Sequence, residues 1–329
     1  MPLNSPFRSA RSIRWEKRYL IYKGGAQFFD YIDTREGWKR TCGKMLFRLQ
    51  IPTRGGIKER NLLEEELAEP IHHFLLYDTH DYKSTAWIGV VEVGQKKRYF
   101  VKIYKKASDA ADSFARSEIA MRVFSPYFIL SKAQYFGGTV CAYSLLQKKR
   151  NVAIAEVEET ILQRYAKELP EMSNETDSWI SEQEQHNFAM AGIEIDQNIL
   201  QRAGLQQMWS HGDFSHWNCF EDRSNALCLI DYEEVGLYPP LYDWFHLILK
   251  PSLLKPGCVF PEKELNRVST RLQQSEEVVV SWMWLYLLLE MRKDLYRNRV
   301  LKSPKIDKEI HYKQILWQEC QERLQQNDC

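Results

Sequence analysis

The sequence predicts an α+β chain with strands gathered early and helices late. Three observations carry this. Residues 74–104 hold runs of β-branched and aromatic residues split by turns, and helical spacing prevails from about residue 148. A short hairpin pattern interrupts the helices at residues 218–230. With 329 residues, 44% hydrophobic and 27% charged, the chain can bury a sizeable core in two parts.

The elements follow in chain order. Residues 1–60 carry fourteen Lys or Arg against five Asp or Glu, so the remainder is net acidic although the whole chain has a charge of +1. Arg8, Arg11, Arg14, Lys17 and Arg18 alternate with Phe7, Trp15 and Tyr19. That mixture suits an anionic partner, but its commoner role is a solvated extension packed on a lobe by its aromatics. A glutamate-rich stretch at 61–70 reads as a short acidic helix closed by Pro70, which bounds a basic N-terminal extension at residues 1–70. Strands are expected at 74–77, 86–93 and 98–104, the last with Lys102 inside it. The connection at 78–85 contains no G-x-G-x-x-G, although Ser84 and Thr85 offer hydroxyls and backbone donors that suit phosphate.

A helix is expected over 108–124, capped by Ser108 with Asp109 and Asp112 in its first turn. Ala111, Phe114, Ala115, Glu118 and Met121 follow helical spacing and predict a buried stripe. A buried Glu118 would need a cation, and Lys102 is the natural partner. A strand at 139–146 leads to a hinge near 144–147, helices are expected at 152–169, 195–208 and 278–299, and 170–177 is polar and turn-like. Trp282, Trp284 and Tyr286 could stack on a sugar, yet aromatics in an apolar helix are more often core.

Residues 211–218, His-Gly-Asp-Phe-Ser-His-Trp-Asn, followed by Ile230-Asp231-Tyr232-Glu233, carry the chemistry. Asp213 and Asn218 sit five apart on a tight loop, and Asp231 follows an apolar strand. An acid, an amide and a second acid in this order suit ATP-dependent phosphoryl transfer. Asp213 would take the proton of an acceptor hydroxyl, while Asn218 and Asp231 supply the oxygen ligands that Mg²⁺ prefers. Turn residues at 222–225 predict a hairpin that returns Asp231 to the side of Asn218.

These residues resemble the aminoglycoside phosphotransferase and choline kinase family. The resemblance rests on H-G-D-x-x-x-x-N at 211–218, I-D-x-E at 230–233 and Pro-Pro-Leu-Tyr-Asp-Trp-Phe-His at 239–246. It implies a two-lobed protein-kinase-like fold, with a small antiparallel-sheet lobe for nucleotide at 71–147 and a mostly helical lobe at 148–329. ATP, Mg²⁺ and a small hydroxylated acceptor follow from it. Lys102 and Glu118 take the phosphate-clamping positions, and His211 and Asp243 brace the catalytic loop. Trp217, Glu233, Tyr238 and Tyr242 are acceptor-site candidates. The last motif is similar to bacterial members that serve glycan pathways, which favours a sugar-like acceptor over an aminoglycoside or an amino alcohol.

Two other classes stand beside this expectation. A non-catalytic nucleotide-binding module would keep the fold without turnover. A protein kinase ranks last, since no Ala-Pro-Glu follows Asp231. Seven scattered cysteines without a C-x-x-C argue for a reducing compartment and against structural zinc. The N-terminus opens no apolar signal region, and the longest apolar stretch, 278–289, is too short to span a bilayer. A cytoplasmic enzyme is expected. The charge balance gives no pull toward nucleic acid.

Overall fold

Runs of β-branched and aromatic residues in residues 71–104 build the first sheet, and its central strands are buried on both faces at one end. The computed structural model describes residues 19–22, 57–78, 84–169, 179–204, 206–253 and 259–326. The chain divides into two compact units, Met1–Glu118 with Ser131–Leu146, and Ile119–Leu130 with Gln147–Cys329.

The smaller unit centres on one antiparallel sheet. Its strands are β1 (Tyr19–Tyr22), β2 (Ile71–Asp78), β3 (Thr85–Val93), β4 (Lys97–Tyr104), β6 (Ala133–Tyr135) and β7 (Val140–Ser144); β5 (Ile129–Leu130) belongs to the other unit. Their order is β1-β2-β3-β4-β7-β6. One face carries Val91, Val93, Val101, Ile103, Val140 and Ala142, which cluster with Leu63 and Leu67 of helix α1 (Ile57–Leu67). Glu66 on α1 accepts the backbone N–H of Thr139 at 2.8 Å and of Val140 at 2.7 Å. The acidic helix therefore starts four residues and stops three residues earlier than expected, and it anchors the sheet it was expected to precede. The basic cluster Arg8–Arg18, the polar stretch at 170–177 and residues 79–83 lie outside the described residues.

The opposite face of the sheet meets helix α2 (Ala107–Phe124). Tyr104 Oη donates to Ser113 Oγ at 2.6 Å, Tyr143 Oη lies 3.1 Å from the same atom, and Cys141 Sγ donates to Ala110 O at 3.2 Å. Small residues on the helix permit this close approach.

In the larger unit, α3 (Ile154–Glu168), α4 (Glu182–Met190) and α5 (Gln197–Ala203) precede a two-stranded pair, β9 (Met208–Ser210) with β12 (Gly236–Tyr238). A four-stranded sheet has the order β5-β11-β10-β8, from β8 (Lys148–Asn151), β10 (Cys219–Asp222) and β11 (Leu227–Leu229). Then come α6 (Tyr242–Leu253), α7 (Glu262–Leu272), α8 (Glu276–Leu301) and α9 (Pro304–Gln326). Residues 279–291 of α8 are all buried, which makes it the central helix of this unit. Trp282, Trp284 and Tyr286 are no more than 2% exposed, so they are core and not a sugar platform. Among the described residues no helix is long and apolar enough to cross a membrane.

Candidate active site

The loop between β9 and β10 is fixed by a carboxylate from another helix. Asp243, in the first turn of α6, is fully buried. Its Oδ2 accepts the backbone N–H of His211 at 2.8 Å and its Oδ1 that of Gly212 at 3.1 Å. Arg164 of α3, also fully buried, places Nη1 3.7 Å from Asp243 Oδ2 and donates through Nη2 to Trp209 O. His211 Nε2 lies 3.0 Å from Ile230 O, which ties the loop to the far end of the hairpin. Gly212 has φ +82°, and an added Cβ would meet Glu234 O at 2.3 Å. The motif therefore needs glycine there.

The hairpin forms where the turn residues predict it. Asp222 Oδ1 accepts the backbone N–H of Ser224 at 2.8 Å and of Ala226 at 3.0 Å, and Asn225 adopts φ +65°. Cys219 pairs with Leu229, and the Ile230 N–H donates to Asn218 O at 3.0 Å. Asn218 and Asp231 thus close the open end of the hairpin. Asp231 is exposed in the left-handed region, φ 71° and ψ 63°, a costly conformation for a non-glycine residue.

Asp213 is held by one edge. His246 Nε2 lies 3.0 Å from its Oδ1, and Lys250 Nζ donates to the same oxygen. Its Oδ2 accepts from Asn218 Nδ2 at 3.4 Å, while that amide makes its shorter bond, 2.9 Å, to Asp213 O. Burial works against the charged form of Asp213. The His246 contact and the Lys250 charge outweigh it and hold the carboxyl well below the usual carboxylate range.

Behind this pair lies a charge cluster that the sequence reading missed. His246 Nδ1 is 3.5 Å from Tyr286 Oη and 3.8 Å from Glu290 Oε2. Glu290 also meets Lys293 at 3.1 Å and Lys313 at 3.7 Å, and accepts the Tyr242 hydroxyl at 2.5 Å. Burial opposes its charge, but Lys293, His246 and Lys313 hold it well below the ordinary glutamate range. Lys293 Nζ in turn reaches Gly212 O at 3.1 Å and Glu234 Oε2 at 2.6 Å. A lysine closing a run as apolar as Tyr242–Leu249, one turn after His246, was the available signal.

The remaining predicted residues divide. Trp217 is 40% exposed, with Lys250 Nζ 5.2 Å from its ring centroid. Glu233 lies half-buried in the 3-10 turn Tyr232–Glu234, and half-buried Tyr238 stacks on Tyr242 at 4.1 Å between centroids. Tyr242 itself is fully buried, so it packs the helix and does not face an acceptor. Lys102 is 5% exposed, with Nζ 5.7 Å from the Tyr143 ring centroid.

Glu118 requires a correction. It is exposed, and among the described residues no ion pair joins it to Lys102. The buried residues of α2 are Ala110, Ser113, Ser117, Ala120 and Phe124, and the small Ala110 and Ser113 let the helix approach the sheet. The expected stripe weighted bulk over closeness of fit and points outward. Thr85 is also corrected: β3 begins one residue earlier than expected and turns this side chain inward, 1% exposed. Ser84 is exposed, and its carbonyl accepts the Lys105 N–H at 2.9 Å.

Among the described residues no cluster of three or more His, Cys, Asp or Glu could hold a metal. The donor set at the hairpin, one amide oxygen and one carboxylate, fits a cation that completes its shell with phosphate and water, as Mg²⁺ does.

No family model and no curated protein matches the chain. Solved structures do resemble it. Aminoglycoside phosphotransferase APH(4)-Ia, a thermostable mutant in ternary complex with ADP and hygromycin B, aligns with a TM-score of 0.51 at 13% identity, over 80% of this chain and 98% of that one. Macrolide 2'-phosphotransferase type I aligns with a TM-score of 0.51 at 11% identity, over 81% and 98%. The choline kinase LicA from Streptococcus pneumoniae gives 0.49 at 12%, over 80% and 99%. The two phosphotransferases show the fold class: this chain has their kinase-like α+β fold, a small antiparallel sheet followed by a mostly helical remainder.

Proposed function

We propose that this protein is an ATP- and Mg²⁺-dependent O-phosphotransferase acting on a hydroxyl of a small, sugar-like molecule. The observation that carries the proposal is Asp213, a carboxylate held charged at one oxygen on a loop that a buried Asp243 fixes. The kinase-like fold and the neighbouring phosphotransferases support it.

Asp213 receives the acceptor hydroxyl. The acceptor oxygen bonds to the γ-phosphorus of ATP, the bond from that phosphorus to the bridging oxygen breaks, and ADP leaves with those electrons. The hydroxyl proton passes to Asp213 and from there to water. Asn218 and Asp231 would hold Mg²⁺, which supplies neutralisation of phosphate charge when bound. Lys102 is assigned to the α- and β-phosphates of the nucleotide. Glu118 has no part in this. Rate comes from alignment and electrostatic stabilisation, with no covalent enzyme intermediate.

The test is a mass-spectrometric screen of cell metabolites incubated with the protein, ATP and Mg²⁺. One small molecule should gain a single phosphate as ADP appears. ATP binding with no phosphorylated product would mark a nucleotide-binding module, and phosphate on proteins alone would mark a protein kinase.

A further inference from the structure

Resting on that reading, we infer that Lys250 is a further active-site residue, which with His246 pins Asp213 by Oδ1, leaves Oδ2 to the acceptor hydroxyl and turns the site against amino acceptors. The geometry of the carboxylate comes first. Lys250 Nζ and His246 Nε2 converge on Oδ1 and lie 2.7 Å from one another. They stand one turn apart on α6, the helix whose Asp243 fixes the loop backbone. One rigid element thus sets both the loop and the side chain that works on it. Oδ2 has only the long contact from Asn218 at 3.4 Å, so it is the oxygen an incoming hydroxyl can use.

Charge then selects the acceptor. Each carboxylate around Asp213 already meets an ammonium group: Asp213 meets Lys250, and Glu290 and Glu234 meet Lys293. Lys250, already seated on Asp213, would repel a second cation placed beside the reacting hydroxyl. Trp217 gives the same answer. Its exposed ring could lie against the apolar face of a sugar. Lys250 is already 5.2 Å from that ring, where an aromatic cage would seat a quaternary ammonium. The preferred acceptors are neutral or anionic polyols.

Three hexopyranoses that differ mainly in charge test this: glucose, glucosamine and glucuronate, each with Mg²⁺-ATP. Wild-type enzyme should phosphorylate glucose or glucuronate at least roughly tenfold faster than glucosamine in kcat/KM. Lys250→Met should lower kcat roughly a hundredfold with an unchanged KM for ATP, and Lys250→Arg should recover most of it. Glucosamine turnover equal to or above that of glucose and glucuronate, or turnover of none of the three, overturns the acceptor preference. Wild-type kcat in Lys250→Met overturns the role of the lysine.

A measurement without turnover separates this inference from the phosphotransferase reading. The groups facing Asp213 are His246 and Lys250 from α6 and Asn218 from its own loop, with Glu290 of α8 behind the histidine. In a crystal structure of Lys250→Met the Asp213 carboxylate should leave its wild-type orientation while Asp243 keeps the loop backbone in place. An unmoved carboxylate sinks the Lys250 inference alone. A moved carboxylate, with no metabolite gaining phosphate, sinks the phosphotransferase reading and keeps the pairing.

Discussion

Asp243 and Asp213 both act on the loop between β9 and β10, and the protein treats them in opposite ways. Asp243 is fully buried, with both oxygens taken by backbone N–H groups and Arg164 beside it. Asp213 has a side chain 29% exposed, and the lysine and histidine hold only one of its oxygens closely. A carboxylate with both oxygens bonded to the backbone inside the core is scaffold. One gripped by a single edge keeps the other for chemistry. Breaking the two should therefore give different phenotypes.

The largest effect is expected at Asp213. Asp213→Asn keeps the shape but removes the charge that draws the hydroxyl proton, and should cost roughly 10³-fold in kcat. Its thermal midpoint should fall by only a few degrees, because the lost charge leaves Lys250 without its partner on a side chain partly open to water. Near-normal turnover would remove Asp213 from the reaction. Asp243→Ala should fail in the opposite manner. It strands two backbone N–H groups in the core and leaves Arg164 with Glu168 as its one carboxylate partner, which is worth about 3 kcal/mol of folding stability, read by urea unfolding. A stable but inactive Asp243→Ala would show that this residue acts in the chemistry and not in the scaffold.

Asp231 sharpens the contrast from the nucleotide side. It is exposed, so Asp231→Ala should leave stability within about 1 kcal/mol. Magnesium-dependent ATP binding should weaken by at least roughly tenfold in calorimetry, with metal-free nucleotide binding unchanged. Equal weakening with and without Mg²⁺ would deny it the metal.

How much of this was legible in the sequence follows from the range of each interaction. The hairpin could be read because its determinants are local: Asp222 caps its own turn, and apolar residues flank it. The loop motif was legible because phosphoryl transfer demands those residue types at that spacing. Lys250 and His246 were not, since their meaning lies in a contact with Asp213 more than thirty positions away. In isolation they are the polar end of an apolar helix. Helix α2 was misread for a different reason. Its buried face is chosen by how closely Ser113 and Ala110 let the helix approach Tyr104 and Cys141, and periodicity ranks small residues poorly.

Glu118 gives that misreading a direct test, with the smallest expected effect. In a pair that clamps phosphate, loss of the glutamate would leave the nearly buried Lys102 misplaced and lower both nucleotide affinity and turnover. The side chain is instead exposed on the outer face of α2, away from the buried seam of Ser113 and Ser117. Glu118→Ala should therefore change stability by no more than about 0.5 kcal/mol and leave the ATP affinity and kcat unaltered. Lys102→Ala in parallel should weaken ATP binding by itself. A double variant no worse than Lys102→Ala, together with a damaging Glu118→Ala, would show that the two side chains do act as one unit and that α2 rotates to join them when nucleotide binds.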